Sequence, residues 1–323
     1  MVWVECKLSD ERCLLMLVQS CIMVSMNQLT TARRAQILGM MVEGLSIRSI
    51  TRLTGVSKNT VAKLLIDAGT ACAEYQDKTL RGLSCKRLQC DEIWSFVGMK
   101  EKNVPAALRG VFGYGDVYTW TAIDAESKLV PCWHVGARDG VSAKLFIDDL
   151  APRMANRVQL TTDGYKAYLS AVEDAFGADI DYAMLVKLYG ASSGNANERR
   201  YTAGECCGAI KGTVTGNPDE RHISTSYVER QNLTMRMGMR RFTRLTNGFS
   251  KKVENHAHAL AIYFMHYNFV RIHSSLRVSP AMAAGVTDKL WSLEDVAALV
   301  EANEMTPKKR GHYKKRDSSV TVN

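Results

Sequence analysis

The chain has 323 residues, 46% of them hydrophobic and 23% charged, which is typical of a globular protein with one sizeable core and a small accessory domain. The formal net charge of +9 favours a polyanionic partner. The nine cysteines form no CxxC pair, which argues against a zinc ribbon and indicates reduced thiols in a cytosolic protein. No apolar run is long enough to span a bilayer, so a membrane partner is not expected.

The first segment, residues 1–28, is an uncertain N-terminal extension. Its apolar stretch between Cys13 and Val24 lacks a basic leader and a small-residue cleavage site. It is either a poorly ordered extension or the product of an upstream start-site error, and the sequence leaves both open.

Residues 29–70 have the pattern of a small helix-turn-helix domain. Gly44 ends a first helix, and Gly55 supplies the turn between a second and a third. Small polar residues suited to capping open the three helices: Thr31, Ser46 and Ser57. The exposed face of the third helix carries four side chains able to contact phosphates or base edges: Lys58, Asn59, Thr60 and Lys63. A helical bundle that touches no DNA is the alternative.

A mixed α/β domain is predicted over 87–275, after a linker helix at 71–86. Its elements are strands at 87–98, 116–124 and 129–137, a helix at 142–154, a strand ending at Asp163, a helix at 165–176 and a strand at 180–188. This order predicts a mixed sheet flanked by helices, as in ribonuclease H-like domains.

Beyond the last strand, residues 190–222 are rich in Gly, Ser and Asn and are predicted to form a mobile loop beside the active site. A long helix is predicted from Ser226 and another from 249 to 272. The C-terminal segment, 276–323, ends in a basic arm at 307–316.

Three acidic residues stand where a nuclease-type site needs them. Asp91 lies in the first strand, Asp163 ends another, and Glu229 opens a helix. Carboxylates on a rigid platform are what a pair of hard divalent cations requires to hold a phosphodiester. Glu92 competes with Asp91, because strand alternation should point only one of them at the metals, and the pattern does not decide between them.

The helix after Glu229 is predicted to carry a track for the DNA backbone. Positions 229, 233, 236, 240 and 244 share one helical face and include Arg236, Arg240 and Arg244. Two further arginines belong to the same candidate DNA-binding set: Arg230 and Arg241. Guanidinium groups suit phosphate oxygens, although an ordinary basic helix face would look similar.

Several segments together resemble DDE transposases of the insertion-sequence-one type. They are QCDEIWSF at 89–96, TDGY at 162–165, SYVERQN at 226–232 and YNFVRIHSSLR at 267–277, continued by SPA at 279–281. The resemblance covers about residues 30 to 290. It implies a ribonuclease H-like catalytic domain, the triad Asp91, Asp163 and Glu229 as both catalytic and metal-binding residues, and two Mg²⁺ or Mn²⁺ ions per site.

The resemblance also implies double-stranded DNA partners, namely the element's terminal inverted repeats and target DNA. A homo-oligomer on paired ends and a bacterial, cytoplasmic, nucleoid-associated location follow from it. Two features depart from the family: the zinc-finger segment that often precedes the helix-turn-helix is absent, and the gap between Asp163 and Glu229 is long. The alternatives are an inactive helix-turn-helix regulator derived from a transposase, and a nuclease of the same fold.

Overall fold

A six-stranded mixed sheet forms the centre of the protein in the computed structural model, which describes residues 28–190, 206–243 and 247–304. Nearly all of the predicted N-terminal extension, the basic arm and Arg244 lie outside these ranges. The strands are β1 Arg87–Val97, β2 Gly115–Asp124, β3 Trp133–Gly136, β4 Val158–Asp163, β5 Ile180–Tyr189 and β6 Cys206–Thr215. The predicted mixed α/β sheet flanked by helices is therefore confirmed.

Nine helices longer than one turn lie in the described ranges. They are α1 Thr31–Val42, α2 Ile47–Thr54, α3 Lys58–Thr79, α4 Gly140–Leu150, α5 Ala167–Phe176, α6 Ser226–Gly238, α7 Val253–Met265, α8 Pro280–Ala283 and α9 Leu293–Asn303. A π-helical turn, His266–Val270, continues α7. Within the described ranges, we find no helix with the length and apolar content needed to cross a membrane.

The sheet has the order β3-β2-β1-β4-β5-β6. Strands β1, β4 and β5 run parallel, whereas β2, β3 and β6 pair antiparallel to their neighbours. The pairing of β1 with β4 ends at Cys90 opposite Thr162, while β1 continues alongside β2 as far as Val97. The sheet therefore opens between β1 and β4 immediately beyond Cys90.

Strand β1 separates two apolar layers because its side chains alternate. Cys90 belongs to a buried cluster with Phe146 of α4 and Tyr168 of α5. Ile93 belongs to a second cluster with Val228 of α6 and Phe264 of α7. Helices α6 and α7 consequently cover one face of the sheet, and α4 and α5 cover the other.

The three predicted N-terminal helices are present, but the third is longer than expected. Helix α3 continues without a break to Thr79, so most of the segment predicted as a separate linker helix at 71–86 is its second half. Ala71 and Cys72 are fully buried there and join the same apolar cluster as the sheet. A Cβ added to Gly69 would lie 2.4 Å from the Cβ of His258, so α3 and α7 cross in close contact.

One predicted strand and one predicted loop differ from the structure. Strand β3 covers only four of the residues predicted at 129–137, because the buried side chain of Asn268 bonds the backbone of Val130: its Oδ1 accepts from Val130 N at 3.0 Å and its Nδ2 donates to Val130 O at 2.9 Å. The loop predicted at 190–222 contains β6, which forms a hairpin with β5, although residues 191–205 lie outside the described ranges. Most β6 residues are exposed, so no buried face marked the strand in the sequence.

The arginine-rich helix predicted after Glu229 is also shorter than expected. Helix α6 ends at Gly238, and Met239 is extended and buried. Met239 and Phe242 pack into the cluster of Ile93, which turns the chain inward. The prediction that one helical face runs from Glu229 to Arg240 and beyond is therefore wrong. The helix predicted at 249–272 begins at Val253, because Ser250 forms a bridge with Val97 of β1.

Candidate active site

Two of the three predicted acids lie side by side where the sheet opens. Asp91 is the first β1 residue beyond the pairing with β4, and Asp163 is the last residue of β4. Oxygen atoms of Asp91, Asp163 and Glu92 all lie within 4.8 Å of one another. We call these three residues the acid cluster. The carboxyl ends of neighbouring parallel strands thus bring together residues far apart in the sequence.

The Asp91 carboxylate accepts hydrogen bonds from two donors in the described part of the chain, and neither of them is a basic side chain. The backbone N–H of Glu92 donates to its Oδ1 at 2.8 Å, and Asn232 Nδ2 of α6 donates to its Oδ2 at 2.9 Å. Burial raises the pKa of Asp91 to about 7, and the negative charges of Asp163 and Glu229 add to the rise. The cluster therefore holds more negative charge than its surroundings neutralise, which is the environment that a bound cation stabilises.

Glu92 belongs to the cluster, contrary to the expectation that only one of two adjacent strand residues could reach it. Its side chain is only 2% exposed, and Arg138 Nε lies 3.4 Å from its Oε2. Burial raises the pKa of Glu92 to about 7, helped by the charges of Asp163 and Asp91. The longer Glu side chain reaches the open edge of the sheet, so strand alternation does not separate it from Asp91.

Arg138, which was not predicted from the sequence, is a basic residue beside the acid cluster. It follows β3, and its Nη2 lies 3.7 Å from Asp163 Oδ2. Its guanidinium stacks 4.4 Å from the ring centroid of Tyr165, whose hydroxyl donates to Arg138 O at 2.8 Å. Tyr165 N also donates to Asp163 Oδ1 at 3.0 Å. The only sequence signal for Arg138 is its position at the end of a strand, two places from β1 in the sheet.

Glu229 is brought to the same end of the sheet by the docking of α6 on β1. The buried Gln89 side chain accepts hydrogen bonds from Tyr227 N at 2.8 Å and Val228 N at 3.2 Å, the first turn of α6. These are donors that a helix N-terminus leaves unpaired. Glu229 raises the pKa of both Asp91 and Asp163, so its charge is close to theirs.

The Glu229 carboxylate itself points to a basic partner rather than into the acid cluster. Both of its oxygens contact Lys187 Nζ of β5, and Thr225 Oγ1 donates to its Oε1 at 2.5 Å. The group of oxygens within 4.8 Å of one another does not include it. The predicted triad is thus assembled at one site, with two members in direct proximity and the third held by a lysine.

The predicted DNA-binding residues occupy two regions of the surface. Lys58, Asn59, Thr60 and Lys63 are exposed on α3, with Lys63 paired to Asp67. On the other region, Arg230 and Arg240 are exposed and Arg236 is partly buried.

Arg241 does not fit the role predicted for it. Its Nη1 donates to the buried Ser250 Oγ at 2.6 Å, and burial lowers its pKa to about 10. The guanidinium therefore binds a buried group inside the protein, where the chain turns inward after α6. Arg244 lies outside the described residues.

No protein-family model matches this chain, and no curated protein matches it. Among solved structures it is similar to piggyBac transposase in a synaptic complex with hairpin DNA, determined by cryo-electron microscopy. The identity is 12% and the TM-score is 0.33, with 84% of this chain and 70% of that chain covered. At this level of similarity, an assignment of function has to come from the site.

Proposed function

We propose that the chain is a DDE transposase of the insertion-sequence-one type, which cleaves DNA at the ends of its element and joins them to target DNA. The observation that carries the proposal is the assembly of Asp91, Asp163 and Glu229 at the open end of the sheet. The sheet would be that of a ribonuclease H-like catalytic domain, with α6 supplying the third acid.

The donor set fits a hard divalent cation such as Mg²⁺ or Mn²⁺. Every candidate ligand is a carboxylate, and the pKa of Asp91, Glu92 and Asp163 is raised by burial, with a further rise from neighbouring acidic charges. Asp91 and Asp163 would hold the ions, and Glu229 would complete the set. A pair of bound ions would supply an activated attacking oxygen and a stabilised leaving oxygen. The chain's own part is to fix these carboxylates on β1, β4 and α6.

Several surface features favour DNA as the substrate. The exposed basic and polar residues of α3 suit a groove or a phosphate backbone, and Arg230 extends this character to α6 beside Glu229. The net charge of +9 would draw DNA to the protein at long range. Cleavage on paired ends would require a homo-oligomer carrying two copies of the site.

Two other functions would use parts of the same structure. A DNA-binding regulator derived from a transposase would need the N-terminal helices but not the acids. A nuclease of the same fold would cut DNA without joining it. The three acids are present, Asn232 donates to Asp91, and Gln89 holds the first turn of α6, which carries Glu229. This arrangement favours an enzyme over the regulator.

The test of the site is cleavage of a labelled duplex that carries the element's own end. With Mg²⁺, wild-type protein should release a product at the element boundary. Asp91→Asn and Asp163→Asn should each lower that rate by at least about 100-fold, because charge stabilisation in the transition state is lost. Asp148→Asn, which removes an exposed carboxylate on α4, is the matched control and should cleave normally. Equal rates for all four proteins would contradict the assignment.

A further inference from the structure

Glu229 is occupied by a cation that the protein itself supplies. Lys187 Nζ contacts both carboxylate oxygens, and Thr225 fixes one of them from the other side. In this position the Glu229 oxygens are not among those that lie within 4.8 Å of one another in the acid cluster, so Glu229 would have to move to ligate an ion held by Asp91 and Asp163. Completion of the acidic set therefore requires that Lys187 release Glu229.

Lys187 lies on the strand next to the one that carries Asp163. Asp163 of β4 pairs with Leu185 of β5, and Lys187 lies two residues further along the same face of that strand. It is 28% exposed, so solvent reaches it, and it lies on β5 between the neighbouring strands β4, which carries Asp163, and β6. An ammonium at this place faces the region that a phosphodiester bound at the cluster would occupy.

The pair with Glu229 is suited to exchange. Glu229 is 40% exposed, and half-exposed ion pairs between Lys and Glu are weak. A divalent cation attracts a carboxylate more strongly than an ammonium does, while a lysine ammonium is a common ligand for phosphate. Cation binding at the acids and phosphate binding at Lys187 would therefore favour the same rearrangement.

We propose that Lys187 is a phosphate-contacting residue of this site, and that Glu229 and the substrate phosphate compete for its ammonium. This inference rests on the proposed function. Without metal or DNA, Lys187 holds Glu229 away from the acid cluster. When a DNA phosphate takes the ammonium, Glu229 is free to join Asp91 and Asp163.

Mn²⁺ binding without DNA tests the first half of the proposal. The concentration for half-saturation is measured for wild type, Lys187→Gln, Glu229→Gln and the double variant. Lys187→Gln should bind Mn²⁺ at least about threefold more tightly, and this gain should vanish in the Glu229→Gln background, since the lysine acts through that carboxylate. The same gain in both backgrounds would indicate a general charge effect and would overturn the competition.

The matched control is Lys211→Gln. Lys211 lies on β6 of the same hairpin and contacts the Glu220 carbonyl, so its loss removes one charge without touching Glu229. Its Mn²⁺ half-saturation should equal that of wild type. A gain equal to that of Lys187→Gln would also overturn the proposal.

Single-turnover cleavage at saturating Mn²⁺ tests the second half. Lys187→Gln should cleave at least about tenfold more slowly than wild type despite its tighter metal binding, because a phosphate contact is lost. Lys187→Arg, which keeps the charge, should recover part of the rate. If wild type binds no Mn²⁺ and cuts no DNA, the proposed function fails. If wild type does both and Lys187→Gln matches it, only the role of Lys187 fails.

Discussion

Individual side chains at the open end of the sheet are arranged at a cost to folding. The pKa of Asp91 and of Glu92 is raised to about 7 by burial and by their acidic neighbours. A carboxyl group whose folded pKa lies above its unfolded value destabilises the protein as the pH rises through that range. Buried acids with raised pKa values are not needed to pack an apolar core. A bound cation would stabilise their charged form and so offset the loss of folding stability.

A buried histidine behind β1 gives a pH-dependent prediction. His256 is fully buried, with Nδ1 at 3.1 Å from Ser250 Oγ, and burial lowers its pKa from 6.5 to about 3, assisted by the charge of Arg241. The unfolded chain takes up a proton on this ring below pH 6.5, whereas the folded protein does not. Stability contributed by the neutral ring is thus complete above pH 6.5 and is lost as the pH falls towards 3, at up to about 1.4 kcal/mol per pH unit.

Thermal unfolding between pH 7 and pH 4 measures this contribution. His256→Gln should lower the melting temperature at pH 7 but lose less stability on acidification than wild type. Parallel curves for wild type and His256→Gln would show that His256 does not titrate between the two states.

Only some residues of the candidate site could be predicted from residue type and position in the sequence. The sequence predicted that Asp91, Asp163 and Glu229 would lie at one site, and the choice of Asp91 over Glu92 came from the family resemblance; their catalytic role stays a prediction. The places of Glu92 and Arg138 were not predicted, since they depend on where β1 and β4 separate, a feature of strand register. The partnership of Lys187 with Glu229 depends on the pairing of β5 with β4 and has no local signal.

At the scale of elements, the contact between α3 and α7 ties the N-terminal helices to the sheet. Because a Cβ at Gly69 would overlap His258, Gly69→Ala should destabilise the protein by about 1–3 kcal/mol despite the better helix propensity of alanine. Chemical denaturation measures the change. Gly140→Ala, in the first position of α4 with nothing within 4 Å of the added Cβ, should be neutral or stabilising.

If Gly69→Ala instead stabilised the protein as much as Gly140→Ala, the close packing of α3 on α7 would be wrong. That packing is also the reason that no linker follows residue 70. The helix pattern up to Leu65 was readable from the sequence, but the continuation to Thr79 is fixed by burial against α7.

Other elements were predictable to the degree that they have one buried face. Strands β1, β2, β4 and β5 and helices α4 and α5 carry the period of their class and lie close to their predicted positions. Strand β6 has almost no buried face, so its pattern resembled a loop. The end of α6 was missed because Met239 and Phe242 enter the core there, a tertiary effect that overrides a continuing helical spacing.

For the whole molecule, one apolar core spans the N-terminal helices and the sheet. It runs from Ile37 and Leu38 of α1 through α3 to Leu88 of β1 and Phe146 of α4. The exposed face of α3 and the acid cluster are therefore parts of one packed body. If α3 binds DNA, the site's position relative to that DNA is set by this packing.

The salt dependence of DNA binding tests the proposed basic surface. Arg240 is exposed two residues beyond the end of α6, so Arg240→Ala should weaken binding and reduce the slope of log affinity against log salt by about 0.9, the value for one phosphate contact on duplex DNA. Fluorescence anisotropy with a labelled duplex gives both values. Lys144→Ala, which removes an exposed charge paired to Asp148 and Asp174, should leave the slope unchanged.

An unchanged slope for Arg240→Ala would remove that residue from the DNA-binding surface. A reduced slope for Lys144→Ala would place DNA on α4 and contradict the proposed DNA-binding surface. Overall affinity alone would not separate these outcomes, since the net charge of the chain contributes to every complex.

The most direct test of the proposed transposase activity is strand joining by purified protein with Mg²⁺ and a labelled duplex carrying the element's end. Wild type is compared with Glu229→Gln, which keeps the size of the side chain and removes its charge, and with Glu173→Gln, which changes an exposed glutamate on α5. We predict joined product from wild type and Glu173→Gln and none from Glu229→Gln. Cleavage without joining by wild type would indicate a nuclease, and tight end-binding without any chemistry would indicate a DNA-binding regulator; either result would contradict a transposase.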